Sequence, residues 1–353
     1  MIYYLFFFIF GFGLVWLLAP VFIGFVKRIN LLDVPNMERK IHAQPMPLAG
    51  GYIIFTTLLI GTLLYFYFFK FGSDLLTLKS VSVILISSFI LLLGGLIDDK
   101  FNLRAKYQIF FPIIACALAV GFGVGDTFKR VSNPFGEPID ISVSFLSISL
   151  GSAFSFVWLM GTTYTIKFLD GLDGLAAGIS AIGFFVLFLL SNTDKINQPG
   201  LAVLSILLVG GLVGYLFYAF HPAKVFLGEG GSTFLGFLLG AFSIILGGKI
   251  ATALLVMGVP VFDAAWVIFR RIRSGQSPFR GDKLHLHHRL LDYGISHRAS
   301  VLLLYGVSFF FGLLSIAFQT TGKIILLMLL FGLMAGFVLF VDRRKAKKYN
   351  NPD

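Results

Sequence analysis

The chain has 353 residues, of which 57% are hydrophobic and only 13% charged, with 42 Phe and a mean hydropathy of +0.90. That balance excludes a soluble globular domain and indicates an all-α, polytopic integral membrane protein; the net charge of +11 needs no nucleic acid to explain it. The single cysteine, Cys116, lies in an apolar run, excludes an internal disulfide, and reads as a small buried hydrophobe.

Apolar segments of roughly 17 to 25 residues between polar breaks mark candidate spans. They fall near 2–26, 50–69, 79–97, 108–125, 144–161, 175–191, 200–220, 231–247, 250–269, 300–318 and 324–341, which makes eleven. The first has no basic region before it and is too long for a signal-peptide core, so it is expected to be retained. The fifth is Ser-rich, and only "GGK" separates the eighth from the ninth. The alternate connections that include 27–49, 98–107, 162–174, 221–230, 270–299 and the tail 342–353 carry 21 Lys or Arg, against 7 on the other side. The bias makes the first set cytoplasmic, with the N-terminus outside and the C-terminus inside. The tail "DRRKAKKYNNPD" reads as a topology anchor that touches anionic membrane lipids. All six histidines, and Asp98, Asp99, Asp170, Asp173 and Glu229, fall on the same side, so one domain over 1–353 would carry its chemistry on those five loops.

In chain order, "LLLGGLIDDK" (91–100) is the first stretch with chemistry. Adjacent acids at a membrane surface repel one another, and a hard divalent cation such as Mg²⁺ resolves the conflict. A polar stop partnered by Lys100 is the plainer alternative. In "KFLDGLDGLAAG" (167–178), Asp170 and Asp173 stand three apart, each before a glycine; in a helical turn that spacing puts both on one face to meet a ligand, whereas a loop and cap before the sixth span is the plainer alternative. In "FLGEGGSTFLGFLLG" (226–240), Glu229 shares a helix N-terminus with exposed amides, which suits a metal and a phosphate together, whereas Gly236 and Gly240 suit close helix packing. In "GDKLHLHHRLLDYGISHR" (281–298), His285, His287 and His288 lie among Arg280, Lys283 and Arg289, which favours an anion over the rival zinc site. A transporter would instead place ionisable groups near the midplane on repeated, broken helices; here only Asp263 lies within a span.

Six stretches, "RKIHAQPMPLAGG" (39–51), "LIDDKFNLRAKYQ" (96–108), "FLDGLDGLAAG" (168–178), "FLGEGGSTFLGF" (226–237), "VPVFDAAWVIFRR" (259–271) and "LHLHHRLLDYG" (284–294), resemble in order the motifs of the polyprenyl-phosphate N-acetylhexosamine-1-phosphate transferase family. The resemblance covers nearly the whole chain, and the histidine stretch is similar to the subgroup that starts O-antigen, enterobacterial common antigen or wall teichoic acid chains. It implies a multi-pass enzyme of the bacterial inner membrane that moves a sugar-1-phosphate, GlcNAc-1-phosphate above all, from a UDP-N-acetylhexosamine to undecaprenyl phosphate and releases UMP. Other donors, such as UDP-MurNAc-pentapeptide, and a non-catalytic homologue are the alternatives. It further implies Mg²⁺, with Mn²⁺ as an alternative, and a homodimer. Carried over by motif, Asp98 and Asp99 match the paired catalytic acids near the lipid phosphate, and Asp99 and Glu229 the metal site. Asp170 and Asp173 match nucleotide-side acids; His42, Lys106, His285, His287 and His288 match substrate-binding positions. The chain departs from the family pattern at Tyr164 and Lys167, where Asn is usual, and at Glu229, where Asp is usual. Single displacement and a two-step route through a phosphorylated Asp both remain open.

Overall fold

In a computed structural model, residues 2–35, 44–69, 77–124, 130–131, 133, 139–141, 144–145, 148–275 and 285–350 are described. The first part of the chain forms α1 (Ile2–Arg28), β1 (Leu32–Asp33), β2 (Met46–Pro47), α2 (Gly50–Phe68), α3 (Leu78–Phe101), α4 (Ala105–Gln108) and α5 (Phe110–Gly121). Two small hairpins, β3 (Arg130–Val131) with β4 (Ile139–Asp140) and β5 (Ser144–Phe145) with β6 (Ile148–Ser149), lead to α6 (Leu150–Leu169). Then follow α7 (Leu175–Ser191), α8 (Pro199–Ala219), α9 (Glu229–Ile245), α10 (Ile250–Val256), α11 (Gly258–Arg273), α12 (Leu286–Asp292), α13 (His297–Ala317) and α14 (Thr320–Asn350).

The protein is an all-α polytopic membrane protein. Six helices (α1, α2, α3, α8, α13 and Thr320–Leu339 of α14) are long and apolar enough to cross a membrane, and α10 with α11 makes a seventh if that pair, bent by 81°, is one span. The other four expected segments carry helices that are shorter or, in α6, more polar, and the fifth, expected from 144, opens on the β5–β6 hairpin, so that its helix starts only at Leu150. The bend sits at Met257 and Gly258, two residues before Pro260, whose missing N–H removes a helical bond there. Two boundaries move toward the chemistry. Helix α3 runs to Phe101 rather than stopping at 97, so Asp98 and Asp99 occupy its last turn, and α6 continues to Leu169, so Tyr164 and Lys167 are helical rather than in a loop.

Helix α9 is the axis of the bundle, buried from Gly230 to Ile245. With little hydrophobic drive between helices in lipid, close approach through small residues carries much of the packing. A Cβ on Gly95 of α3 would lie 2.0 Å from the amide nitrogen of Gly230, one on Gly51 of α2 would lie 2.5 Å from Cα of Gly231, and one on Gly236 would lie 2.4 Å from the Thr162 carbonyl oxygen of α6. Gly240 also faces Thr162, so the two later glycines serve packing as expected. Backbone bonds finish the job at the start of α9: Phe226 N–H donates to Pro47 (3.0 Å), and Gly50 and Gly51 N–H donate to Phe226 (2.9 Å) and Leu227 (3.0 Å). At the other end of the bundle, Lys323 Nζ donates to Thr252 Oγ1 at 2.7 Å.

Candidate active site

The C-terminal ends of α3 and α6 and the N-terminus of α9 meet at one end of the bundle. Helix α3 stops because Asn102 takes a left-handed conformation (φ 50°), with its N–H donating to the Asp98 carbonyl at 2.7 Å. This turn delivers the Leu103 N–H to Asp98 Oδ1 at 2.8 Å, and Gln108 Nε2 donates to the same oxygen at 3.1 Å. Asp99 points across to α9, where the Glu229 N–H lies 3.3 Å from each of its carboxylate oxygens. Only glycine fits before Glu229: Gly228 has φ +77°, and a Cβ there would sit 2.8 Å from Asp99 Oδ2. Lys100, the local partner the sequence offered these acids, lies instead over the Phe101 ring at 5.8 Å.

Lys167, from the last turn of α6, joins the two halves. Its ammonium forms an ion pair with Glu229, donates to Gln108 Oε1 at 3.0 Å, and stands 5.3 Å from the centre of the Tyr164 ring. The three positions where the chain departs from the family pattern, Tyr164, Lys167 and Glu229, therefore form one cluster. Asp170 follows one turn later. Solvent reaches its side chain, yet surrounding protein atoms crowd its carboxyl. Burial first, then the charges of Glu229 and Asp173, push its carboxyl up to about 7.

Asp170 caps α6 and Asp173 lies in the turn that follows, so the helical turn expected to carry both does not form. Asp173 Oδ2 accepts from His221 Nδ1 (2.7 Å) and from the Ala223 N–H (3.2 Å), and the Asp173 N–H donates to His297 Nε2 (3.3 Å). The His221 and His297 rings stack at 4.1 Å, and Tyr305 Oη donates to the Gly174 carbonyl at 2.6 Å, which holds the turn between α6 and α7.

A third arm comes from α11 and α12. Asp263, buried in α11, accepts from the Leu286 N–H (2.7 Å) and pairs with His285 Nδ1 (2.9 Å), while the His285 ring stacks on Phe168 of α6 at 6.2 Å. His285 is thus an anchor that ties the histidine stretch to the site. His288 lies on the first turn of α12, and Lys106 of α4 stands over the Tyr107 ring at 4.8 Å, on the segment that carries Gln108. His42 and the side chain of His287 lie outside the described residues.

Nothing in the sequence assigns a role to Gln108, His221 or His297, and Asp263 stands out there only as an acid within a span. Asp263 carried the clearest signal, because an ionisable group in an apolar helix demands a partner.

The oxygen donors Asp98, Asp99 and Glu229 fit Mg²⁺ in kind. They are not gathered tightly, since Gln108 holds Asp98 and Lys167 holds Glu229. Among the described residues, the one group of three His, Cys, Asp or Glu whose ligand atoms all lie within 4.8 Å of one another is Asp173, His221 and His297.

Residues 81–247, which contain most of this site, match the family described as Glycosyl transferase family 4. The chain is 32% identical over 310 residues to the "Probable undecaprenyl-phosphate N-acetylglucosaminyl 1-phosphate transferase" of Bacillus subtilis (strain 168), covering 86% of this chain and 82% of that one. It is 32% identical over 303 residues to the "Decaprenyl-phosphate N-acetylglucosaminephosphotransferase" of Mycolicibacterium smegmatis, covering 79% and 73%. It is 26% identical over 302 residues to the "Undecaprenyl-phosphate alpha-N-acetylglucosaminyl 1-phosphate transferase" of Escherichia coli (strain K12), covering 79% and 74%. On this coverage and identity, the chain belongs to the polyprenyl-phosphate N-acetylglucosamine-1-phosphate transferase family.

Proposed function

We propose that the protein transfers GlcNAc-1-phosphate from UDP-GlcNAc to undecaprenyl phosphate at the cytoplasmic face of the bacterial inner membrane, releasing UMP and starting a cell-envelope polysaccharide. The observation that carries this reading is the continuous polar network from Asp98 through Gln108 and Lys167 to Glu229 and back to Asp99, at a membrane-protein helix junction that also holds Asp170. It offers acids for a cation, a cation for a phosphate, and an apolar surround for a lipid.

In a single displacement, an oxygen of the lipid phosphate attacks the β-phosphorus of the donor, the bond from that phosphorus to the bridging oxygen breaks, and UMP leaves with that oxygen. A phosphomonoester, with a second pKa of about 6, is mostly dianionic at neutral pH, so positioning and charge neutralisation matter more than a strong base. Asp98, whose Oδ1 is fixed by Leu103 and Gln108, orients the lipid phosphate and can take its remaining proton. Lys106, on the adjoining segment, faces the same substrate. Asp99 and Glu229 would hold Mg²⁺, or Mn²⁺ in its place, which when bound offsets charge on the donor pyrophosphate and the leaving UMP. Asp170 and the anchored Asp173 face the nucleotide end, and the Asp263–His285 contact holds the histidine stretch beside them.

The test is UMP release by detergent-purified protein given undecaprenyl phosphate and UDP-GlcNAc, with and without Mg²⁺, beside Asp99→Asn. Release should need lipid and metal, and the variant should lose about 100-fold or more, as when a charge-stabilising group is removed. No release from folded protein with any UDP-N-acetylhexosamine would end this reading.

A further inference from the structure

Lys167 places a permanent cation on the carboxylate that the divalent ion needs. Its side chain is 15% exposed and that of Glu229 22%, so the pair is mostly shielded from water yet still accessible to it. The ammonium is held from three sides, by the Glu229 carboxylate, the Gln108 carbonyl oxygen and the Tyr164 ring face. The orientation of the Gln108 amide is fixed, because its nitrogen already donates to Asp98 and to the Leu103 carbonyl (3.0 Å), which leaves only its oxygen for Lys167. Helix packing does not require this pair. Gly236 and Gly240 already seat α9 against Thr162 of α6, and Trp158 Nε1 donates to Ser243 Oγ at 3.0 Å across the same two helices.

We propose that Lys167 is a resident, exchangeable counter-cation: it neutralises Glu229 until the donor pyrophosphate takes over the ammonium, which frees Glu229 for the divalent ion. Donor and metal binding are then coupled through one side chain. This rests on the nucleotide-sugar and metal reading of the site given above. A carboxylate that sheds its ammonium regains its affinity for a cation, while an ammonium that leaves a carboxylate needs another anion, and a pyrophosphate supplies it. By linkage, whatever the donor gives to metal binding, the metal gives back to donor binding.

The experiment is a Mn²⁺ titration of the detergent-purified protein, read by the EPR signal of the free ion, without and with UDP as the probe. The solution equilibrium between Mn²⁺ and UDP is common to all proteins compared and cancels. Lys167→Gln should bind Mn²⁺ about tenfold more tightly than the parent without UDP, because a shielded pair is worth more than an exposed one. UDP should tighten Mn²⁺ binding in the parent and do so much less in Lys167→Gln. Lys167→Arg, which keeps the charge, should resemble the parent, and exposed Lys195→Gln should change nothing. Lys167→Met, which keeps the stem, is the second variant if the first does not fold. Unchanged or weaker Mn²⁺ binding in the folded variants, equal help from UDP in parent and variant, or an equal shift in Lys195→Gln would overturn the proposal. A fall in Tm alone would mark Lys167 as a structural tie and overturn it as well. UMP release on the same preparations separates the two ideas: a Mn²⁺ shift without transfer leaves the exchange standing and removes the transferase reading, and the reverse result does the opposite.

Discussion

Asp98 and Asp99 are neighbours in the chain but have different work. Asp98 is tied into the turn that ends α3, and Asp99 reaches across to the first amide of α9. The pairing of the acids was legible because two carboxylates after an apolar run invite a cation; their separate partners were not, since these depend on Asn102 turning left and on a helix 130 residues away. Asp170 gives a residue-scale expectation with a definite sign. Its carboxyl, raised from 3.8 to about 7, is neutral below that pH and gains a negative charge above it, beside Glu229 and Asp173. Binding of metal-free UDP-GlcNAc, whose pyrophosphate diester does not titrate there, should weaken as pH rises through about 7. Isothermal titration across pH 6 to 8 checks it, and Asp170→Asn should flatten the profile; an unchanged slope in that variant assigns the titration elsewhere.

At the scale of elements, the site exists because α3 and α9 touch backbone to backbone. Gly95 and Gly230 set that distance, and it fixes how far Asp99 stands from Glu229. Adding a methyl at Gly95, 2.0 Å from the Gly230 nitrogen, forces the helices apart at a cost of about 1–3 kcal/mol or more. Gly95→Ala should therefore lower Tm and reduce transfer together, while Gly161→Ala, with nothing within 4 Å, should leave both near the parent values. Equal behaviour of the two variants would show that the contact does not set the geometry. The sequence revealed these helices through their apolar runs, and it exposed Gly236 and Gly240 as packing residues. It hid the ends. Apolarity stops at the membrane surface, but helical hydrogen bonding does not, so α6 carries Tyr164 and Lys167 on its last two turns where a loop was expected. The 81° bend between α10 and α11 was hidden for the converse reason: the apolar run continues through it, and Gly258 and Pro260 are the visible breakers near it.

For the whole molecule, the segregation of acids and histidines to one side was the most informative pattern in the sequence. Its structural counterpart is three local groups carried by α6 and its neighbours at one end of the bundle: Asp98, Asp99, Lys167 and Glu229; Asp173, His221 and His297; and Asp263 with His285. A chain that gathers such polar groups at one end of an apolar scaffold can hold a water-soluble sugar nucleotide against a lipid-borne phosphate. The central claim is that the sugar moves together with its phosphate. UDP-GlcNAc labelled at the β-phosphorus, incubated with the reconstituted protein, Mg²⁺ and undecaprenyl phosphate, tests it most directly. The label should enter the chloroform-extractable lipid in one-to-one ratio with UMP released. Label recovered as UDP, with the sugar alone on the lipid or free in water, would contradict the account.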